Sequence, residues 1–234
     1  MVLLTGDTHG YLDIQKLTSN NRAWRDTLRD MTRDDFVIIL GDFGLVWDND
    51  GLERFWLKWL NDKPFTTLFI DGNHENYRML AQYPVEEWHG GKVQRIRKNI
   101  LHLMRGQVFD ICGKKFFTMG GAQSHDMLWR VRNLNWWPEE MPRPAEYDEA
   151  WVNLAACDHS VDYILTHSLP SAIQSEWFEE DYFMPNALTD FLEVVYQKVA
   201  FRGWYSGHYH LDISLQNPKG KMRLLYQDIV RIIK

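Results

Sequence analysis

Cysteine is nearly absent: Cys112 and Cys157 are the only two in 234 residues. Their separation matches neither a metal-binding pair nor a disulfide framework, so the chain reads as one suited to a reducing interior. Long hydrophobic runs are missing too, and nothing approaches the length needed to span a bilayer. The opening "MVLLTG" enters directly into what reads as a first strand, without a leader pattern. A cytoplasmic location is therefore expected. Positive charge is in deficit, with 26 Lys and Arg against 32 Asp and Glu. A net charge of −6 argues against tight, sequence-independent binding to nucleic acid, which depends on neutralising phosphates. Internal repeats and low-complexity segments are lacking, and no Gly-x-Ser-x-Gly elbow offers a serine nucleophile.

What is present suits a single folded domain over 1–234, since 45% of residues are hydrophobic and no composition change marks a seam. Eleven tryptophans is a high count, read mainly as core, with Trp136 and Trp137 as candidates to line a cleft. The runs "VLLT" (2–5), "FVIIL" (36–40) and "TLFI" (67–70) read as buried strands. Helical patterns over 12–30 and 52–60 separate them, which predicts parallel βαβ units. In the second half, 107–121 reads as a hairpin and 132–144 as a Pro-rich aromatic loop or lid. Helices are expected over 146–157 and 187–199, with strands over 161–166 and from "RGWYSG" to the end.

Five polar clusters punctuate these strands: "GDTHG" (6–10), "GDFG" (41–44), "GNHE" (72–75), "THS" (166–168) and "GHYH" (207–210). Their donors are Asp7, His9, Asp42, Asn73, His167, His208 and His210, all oxygen or nitrogen. Imidazole with carboxylate suits Mn, Fe, Zn or Ni better than Ca or Mg. Seven donors exceed one tetrahedral site and suit two ions about 3.5–4 Å apart sharing a carboxylate. Taken singly each cluster has an ordinary explanation: Asn73-His74 as a turn, His167 as a satisfied buried histidine, His208 and His210 as alternate residues of a strand. The weight lies in the ordered set, repeated just past successive strands with glycine attached.

In this order, from Gly6 to His210, the clusters resemble the calcineurin-like metallophosphoesterase family. The resemblance implies a four-layer αββα sandwich, two mixed sheets flanked by helices, with a dinuclear metal site at the carboxyl edges of the strands. It implies that Asp7, His9, Asp42 and His210 hold one divalent ion. It implies that Asp42, Asn73, His167 and His208 hold the other, Asp42 bridging. His74 resembles the family's histidine that contacts phosphate or protonates the leaving group. The implied reaction is phosphoester hydrolysis by a hydroxide bridging the two metals, on a small-molecule or nucleotide phosphomonoester or phosphodiester.

One departure stands out. The family's protein Ser/Thr phosphatases carry Gly-Asp-x-x-Asp-Arg-Gly, whereas "GDFGLVW" places Leu45 and Val46 at the second Asp and the Arg. Protein phosphatase activity is doubtful on that ground, and His74 needs another partner. Asp126, His125 and Arg130 in "GGAQSHDMLWR" (120–130) are candidates, Asp126 and Arg130 also as substrate contacts, with surface loop residues the plain alternative. "HYHLD" lacks the second histidine of metallo-β-lactamase-like hydrolases, and the isolated "DFG" has no accompanying kinase motif. A nuclease is the alternative enzyme, and "KVQRIRK" (92–98) the one basic run that would serve it; it reads more simply as a solvated face. A non-catalytic scaffold of the same fold is the remaining alternative, and the complete donor set argues against it.

Overall fold

The computed structural model describes residues 1–178 and 183–234. Strand β1 (Val2–Thr5), helix α1 (Arg25–Asp30), β2 (Phe36–Leu40), α2 (Gly51–Asn61) and β3 (Thr66–Ile70) make the expected βαβ series, with β1, β2 and β3 parallel. The helix expected over 12–30 is broken: a short 3-10 turn at Ile14–Leu17 precedes α1. The amide of Asn21 between them donates to the Lys16 carbonyl, a side-chain bond that competes with continued helix.

After α3 (Tyr77–Leu80) the chain forms three strands that the sequence reading did not distinguish, β4 (Val85–Trp88), β5 (Gly91–Arg97) and β6 (Ile100–Leu103). The basic run 92–98 therefore lies largely within a strand, with Val93, Gln94 and Ile96 buried and Arg95 paired to Glu86. Seven strands compose this first sheet in the order β13–β1–β2–β3–β6–β5–β4, where β13 is Ile229–Ile233.

The second sheet begins with the hairpin β7 (Gln107–Ile111) and β8 (Lys114–Met119). Helix α4 (Pro144–Ala155), β9 (Tyr163–Thr166), α5 (Ser171–Trp177), α6 (Ala187–Lys198) and β10 (Gly203–Ser206) follow. Strands β11 (Ile213–Leu215) and β12 (Lys221–Leu224) complete the order β11–β12–β10–β9–β8–β7, with β8, β9, β10 and β12 parallel. The strands expected from "RGWYSG" to the end divide between the sheets: β10, β11 and β12 lie in the second and β13 in the first.

The strands are apolar on both faces because both faces are covered, the usual pattern of parallel sheets. Alternation assigns the faces. Val2, Leu4, Ile38, Leu40, Leu68 and Ile70 meet Phe109, Ile111, Phe116 and Leu165 between the sheets. On the outer face of the first sheet, Leu3, Val37, Ile39 and Phe69 pack against Leu28, Leu57 and Leu60 of the helices. On the outer face of the second, Phe117, Ile164 and Trp204 pack against Leu154, Ile173 and Leu192. The result is helix, sheet, sheet, helix, as expected. No helix among the described residues is long and apolar enough to cross a membrane.

A candidate metal centre at the strand ends

The loops leaving β1, β2, β3, β9 and β10 converge at the carboxyl ends of their strands, where open α/β sheets bind ligands. Three overlapping groups of side chains gather there: Asp7, His9 and His210; His9, Asp42 and His74; and Asp7, Asp42 and His167. Within each, one ligand atom per residue lies within 4.8 Å of the others. His210 Nε2 is 3.2 Å from Asp7 Oδ2, His9 Nε2 3.4 Å from Asp42 Oδ2, and His167 Nε2 3.4 Å from Asp42 Oδ1. Asp42 is thus the carboxylate with an imidazole on each oxygen. His208 stands in none of these groups; its ring centroid is 5.0 Å from that of His167, and its backbone N–H donates to Asp7.

The local backbone is bent to achieve this. His9, Asp42, His208 and His210 all have positive φ, between 42° and 70°, a conformation uncommon outside glycine and concentrated at functional sites. Two glycines are required by proximity. A Cβ at Gly72 would fall 2.2 Å from Asp42 Oδ1, and one at Gly207 would fall 2.3 Å from Asp7 Oδ1.

Partners outside the cluster fix the imidazoles. His9 Nδ1 bonds Asp13 Oδ2 at 2.8 Å, and His167 Nδ1 donates to the Leu40 carbonyl at 2.6 Å, so each ring turns Nε2 inward. Tyr226 stacks on His210, with centroids 4.5 Å apart, and its hydroxyl donates to Asp13. Buried Lys16 donates to the carbonyls of Gly6, Asp7 and Tyr226, tying β1 to the chain's last turn. Glu75 accepts the N–H groups of Phe43 and Gly44, and Glu53 those of Trp47, Asp48 and Asn49, which shapes the loop after β2. Asp13, Lys16, Glu53 and Glu75 were not found from sequence; only Asp13, four residues past His9, carried a spacing that points to it.

The electrostatics suit a cation site. Burial opposes charge on His9 and His167, but Asp42 and Asp7 outweigh it and push both up to about 9. Burial alone would raise the Asp42 carboxyl; the facing His167 and His74 hold it well below its usual value. His208 is lowered by burial and by the charge of His167. Two buried polar atoms of the donor set, Asn73 Oδ1 and His167 Nε2, have no hydrogen-bond partner. An acceptor oxygen and an imidazole nitrogen left unsatisfied beside two carboxylates fit a divalent cation.

His74 donates its backbone N–H to Asp42 Oδ1 at 2.7 Å. The position that lacks an aspartate is filled by buried Leu45, and the ring faces Arg130 instead. Arg130 Nη1 lies 3.2 Å from His74 Nδ1, and its Nε donates to Asp126 Oδ1 at 2.6 Å. Burial and the Arg130 charge lower the His74 pKa, against the opposing pull of Asp42. His125 lies to the side, lining a cavity of about 160 Å³ with His208 and Phe183. "NWWPEE" forms a wall beside the cluster: Trp137 is buried against Trp47, and Glu140 is buried against Ser124. Burial raises the Glu140 carboxyl, partly offset by its bonds from Ser124.

The calcineurin-like phosphoesterase family matches residues 1–212. The chain belongs to that family. Divalent metal ions are the family's cofactor, and the Asp and His groups at the strand ends are placed to hold them. No curated protein matches the chain. Among solved structures it is similar to a Staphylococcus aureus protein described as a candidate 5′-nucleotidase in complex with α-ketoglutarate, at 13% identity and a TM-score of 0.51. The match covers 97% of this chain and 49% of that one, so this chain spans about half the length of that protein. It is also similar to GAP50, described as the anchor in the inner membrane complex of Plasmodium, at 13% identity and a TM-score of 0.50, covering 96% and 70% of the two chains. At such identities these likenesses concern the fold.

Proposed function

We propose that this calcineurin-like phosphoesterase hydrolyses a small organic or nucleotide phosphomonoester or phosphodiester, with two divalent ions as cofactor. The observation that carries the reading is the convergence on Asp42 of His9 and His167, each with its other ring nitrogen already engaged. In this reading Asp7, His9, Asp42 and His210 hold one ion, and Asp42, Asn73, His167 and His208 the other. Such ions, when bound, lower the pKa of water toward neutrality and offset charge on phosphoryl oxygens.

The chain's own residues supply the rest. Arg130, aimed by Asp126, places a fixed positive charge beside His74, suited to binding a phosphoryl oxygen. His74 begins with a lowered pKa. An anionic phosphoryl group beside it raises that pKa again, so the ring can hand a proton to the leaving oxygen. In the basic strand β5, Lys92 is paired with Glu149 and Arg95 with Glu86, which favours a small substrate over nucleic acid.

The test compares bis-para-nitrophenyl phosphate with the monoester, adding Mn, Ni or Zn to metal-stripped protein. Metal-dependent turnover that Asp42→Asn abolishes is expected. Full metal loading without turnover of either ester would favour a scaffold.

A further inference from the structure

The donor assigned to one of these ions, Asn73, has a side chain that presents either an oxygen or an NH2 group inward. Only the oxygen can ligate a cation, because the amide nitrogen has no free lone pair to offer. Its orientation is decided by what the other end of the amide meets. Asn73 Nδ2 donates to Ser124 Oγ at 3.2 Å, and Asn73 Oδ1 is the buried atom left without a partner.

A serine hydroxyl can accept from an amide or donate to one. Here the choice is made one step further out. Glu140 Oε1 accepts the Ser124 backbone N–H at 2.8 Å, and Oε2 accepts the Ser124 hydroxyl at 2.6 Å. With its proton committed to Glu140, the hydroxyl turns a lone pair to Asn73, which must answer with its NH2. All three side chains are buried, with exposures of 4% or less, so water offers no alternative partner. Glu140 is itself held: Arg105 Nη2 donates to its carbonyl, while Arg105 Nε donates to Asp71, two residues before Asn73. Neither Ser124 nor Glu140 belongs to a donor cluster; they come from the loop after β8 and from the aromatic wall.

We infer that Glu140 is a positioning residue that, through Ser124, sets the polarity of a hydrogen-bond chain so that Asn73 offers its oxygen to the cation. The inference rests on the dinuclear reading proposed above. It makes an unusual demand of a near-isosteric change. In E140Q the new amide must keep its oxygen toward the Ser124 N–H, so its NH2 faces the Ser124 hydroxyl. The hydroxyl then accepts from residue 140 and donates to residue 73. Asn73 turns its oxygen outward to receive that proton, and its NH2 faces the cation. Adding N73D restores an inward oxygen, because a carboxylate accepts from Ser124 with one oxygen and keeps the other free.

Manganese stoichiometry and affinity, measured by equilibrium dialysis on stripped protein, test this without reference to turnover. Wild type is expected to bind two ions, E140Q to bind its second ion 10- to 100-fold more weakly, and E140Q/N73D to recover to within threefold of wild type. Thermal melting of each metal-free protein reports folding. Should E140Q fail to fold, Ser124→Ala, which removes the hydroxyl alone, is expected to weaken the same ion at least tenfold, and unchanged binding overturns the inference. E140Q binding both ions as wild type does overturns it while leaving the dinuclear reading intact. A loss in E140Q that N73D does not recover also overturns it, since Glu140 would then merely support the fold. Wild type binding fewer than two ions defeats the reading on which the inference rests, and the inference with it.

Discussion

Arg130 faces His74, its two terminal nitrogens 3.2 and 3.4 Å from the two ring nitrogens. An arginine thus stands beside the histidine where the protein phosphatases of the resemblance place an aspartate. A cation beside an imidazole depresses its pKa, whereas a carboxylate would raise it. Arg130→Ala is therefore expected to shift the His74 titration to higher pH, and Arg130→Lys to shift it less. Histidine Cε1 resonances followed against pH in the metal-free protein measure this. Loss of the guanidinium is also expected to lower kcat/KM by about 100-fold, the usual effect of removing one preorganised donor.

Metal loading must displace protons. His9 and His167 are pushed up to about 9 in the metal-free protein, so both are largely protonated at neutral pH and must be neutral to bind a cation. Apparent affinity should rise with pH through that value. Calorimetric titrations in two buffers of different ionisation enthalpy should give different heats, and equal heats would contradict the protonation states.

The same two histidines make the stripped protein's stability depend on pH. Their folded pKa values lie above the unfolded value of about 6.5, so their contribution is fully present below that pH. It is lost as pH rises through about 9. The melting temperature of the stripped protein should fall across this window, while the loaded protein, stabilised by binding, should not follow it.

The clusters carrying the metal donors were legible because each is a compact motif set just past an apolar strand. The outer partners were not, because a buried Ser124 or Glu140 looks like any loop residue until the fold brings residues 73, 124 and 140 together. Strands β4 to β6 escaped for another reason. In β5 the buried Val93 and Ile96 stand three residues apart, with an irregularity of register between Arg95 and Arg97, so the two-residue alternation that marks a strand is broken, and β6 is only four residues long. Trp137 and Glu140, in the stretch read as a loop or lid, are held by Trp47 and Ser124, the second contact spanning 16 residues and the first far more.

Asp71 closes β3 and anchors the loop that bears Asn73 and His74. Its carboxylate accepts from Arg105 and Tyr77 and meets His102 at 3.1 Å, with Asp71, Arg105 and His102 buried and Tyr77 half-buried. Burial would raise its pKa, but Arg105 and His102 hold it well below the usual carboxylate range. Removing one member of a buried ion pair leaves an uncompensated charge, so Arg105→Met should cost about 3–5 kcal/mol. Urea unfolding of the stripped protein measures that cost; a loss below about 1 kcal/mol would place the pair outside the folded core.

Anomalous scattering from crystals of the manganese-loaded protein tests the dinuclear centre most directly. Two peaks about 3.5–4 Å apart, with Asp42 touching both, are the expected result. A single peak, or two that do not share Asp42, would contradict the account.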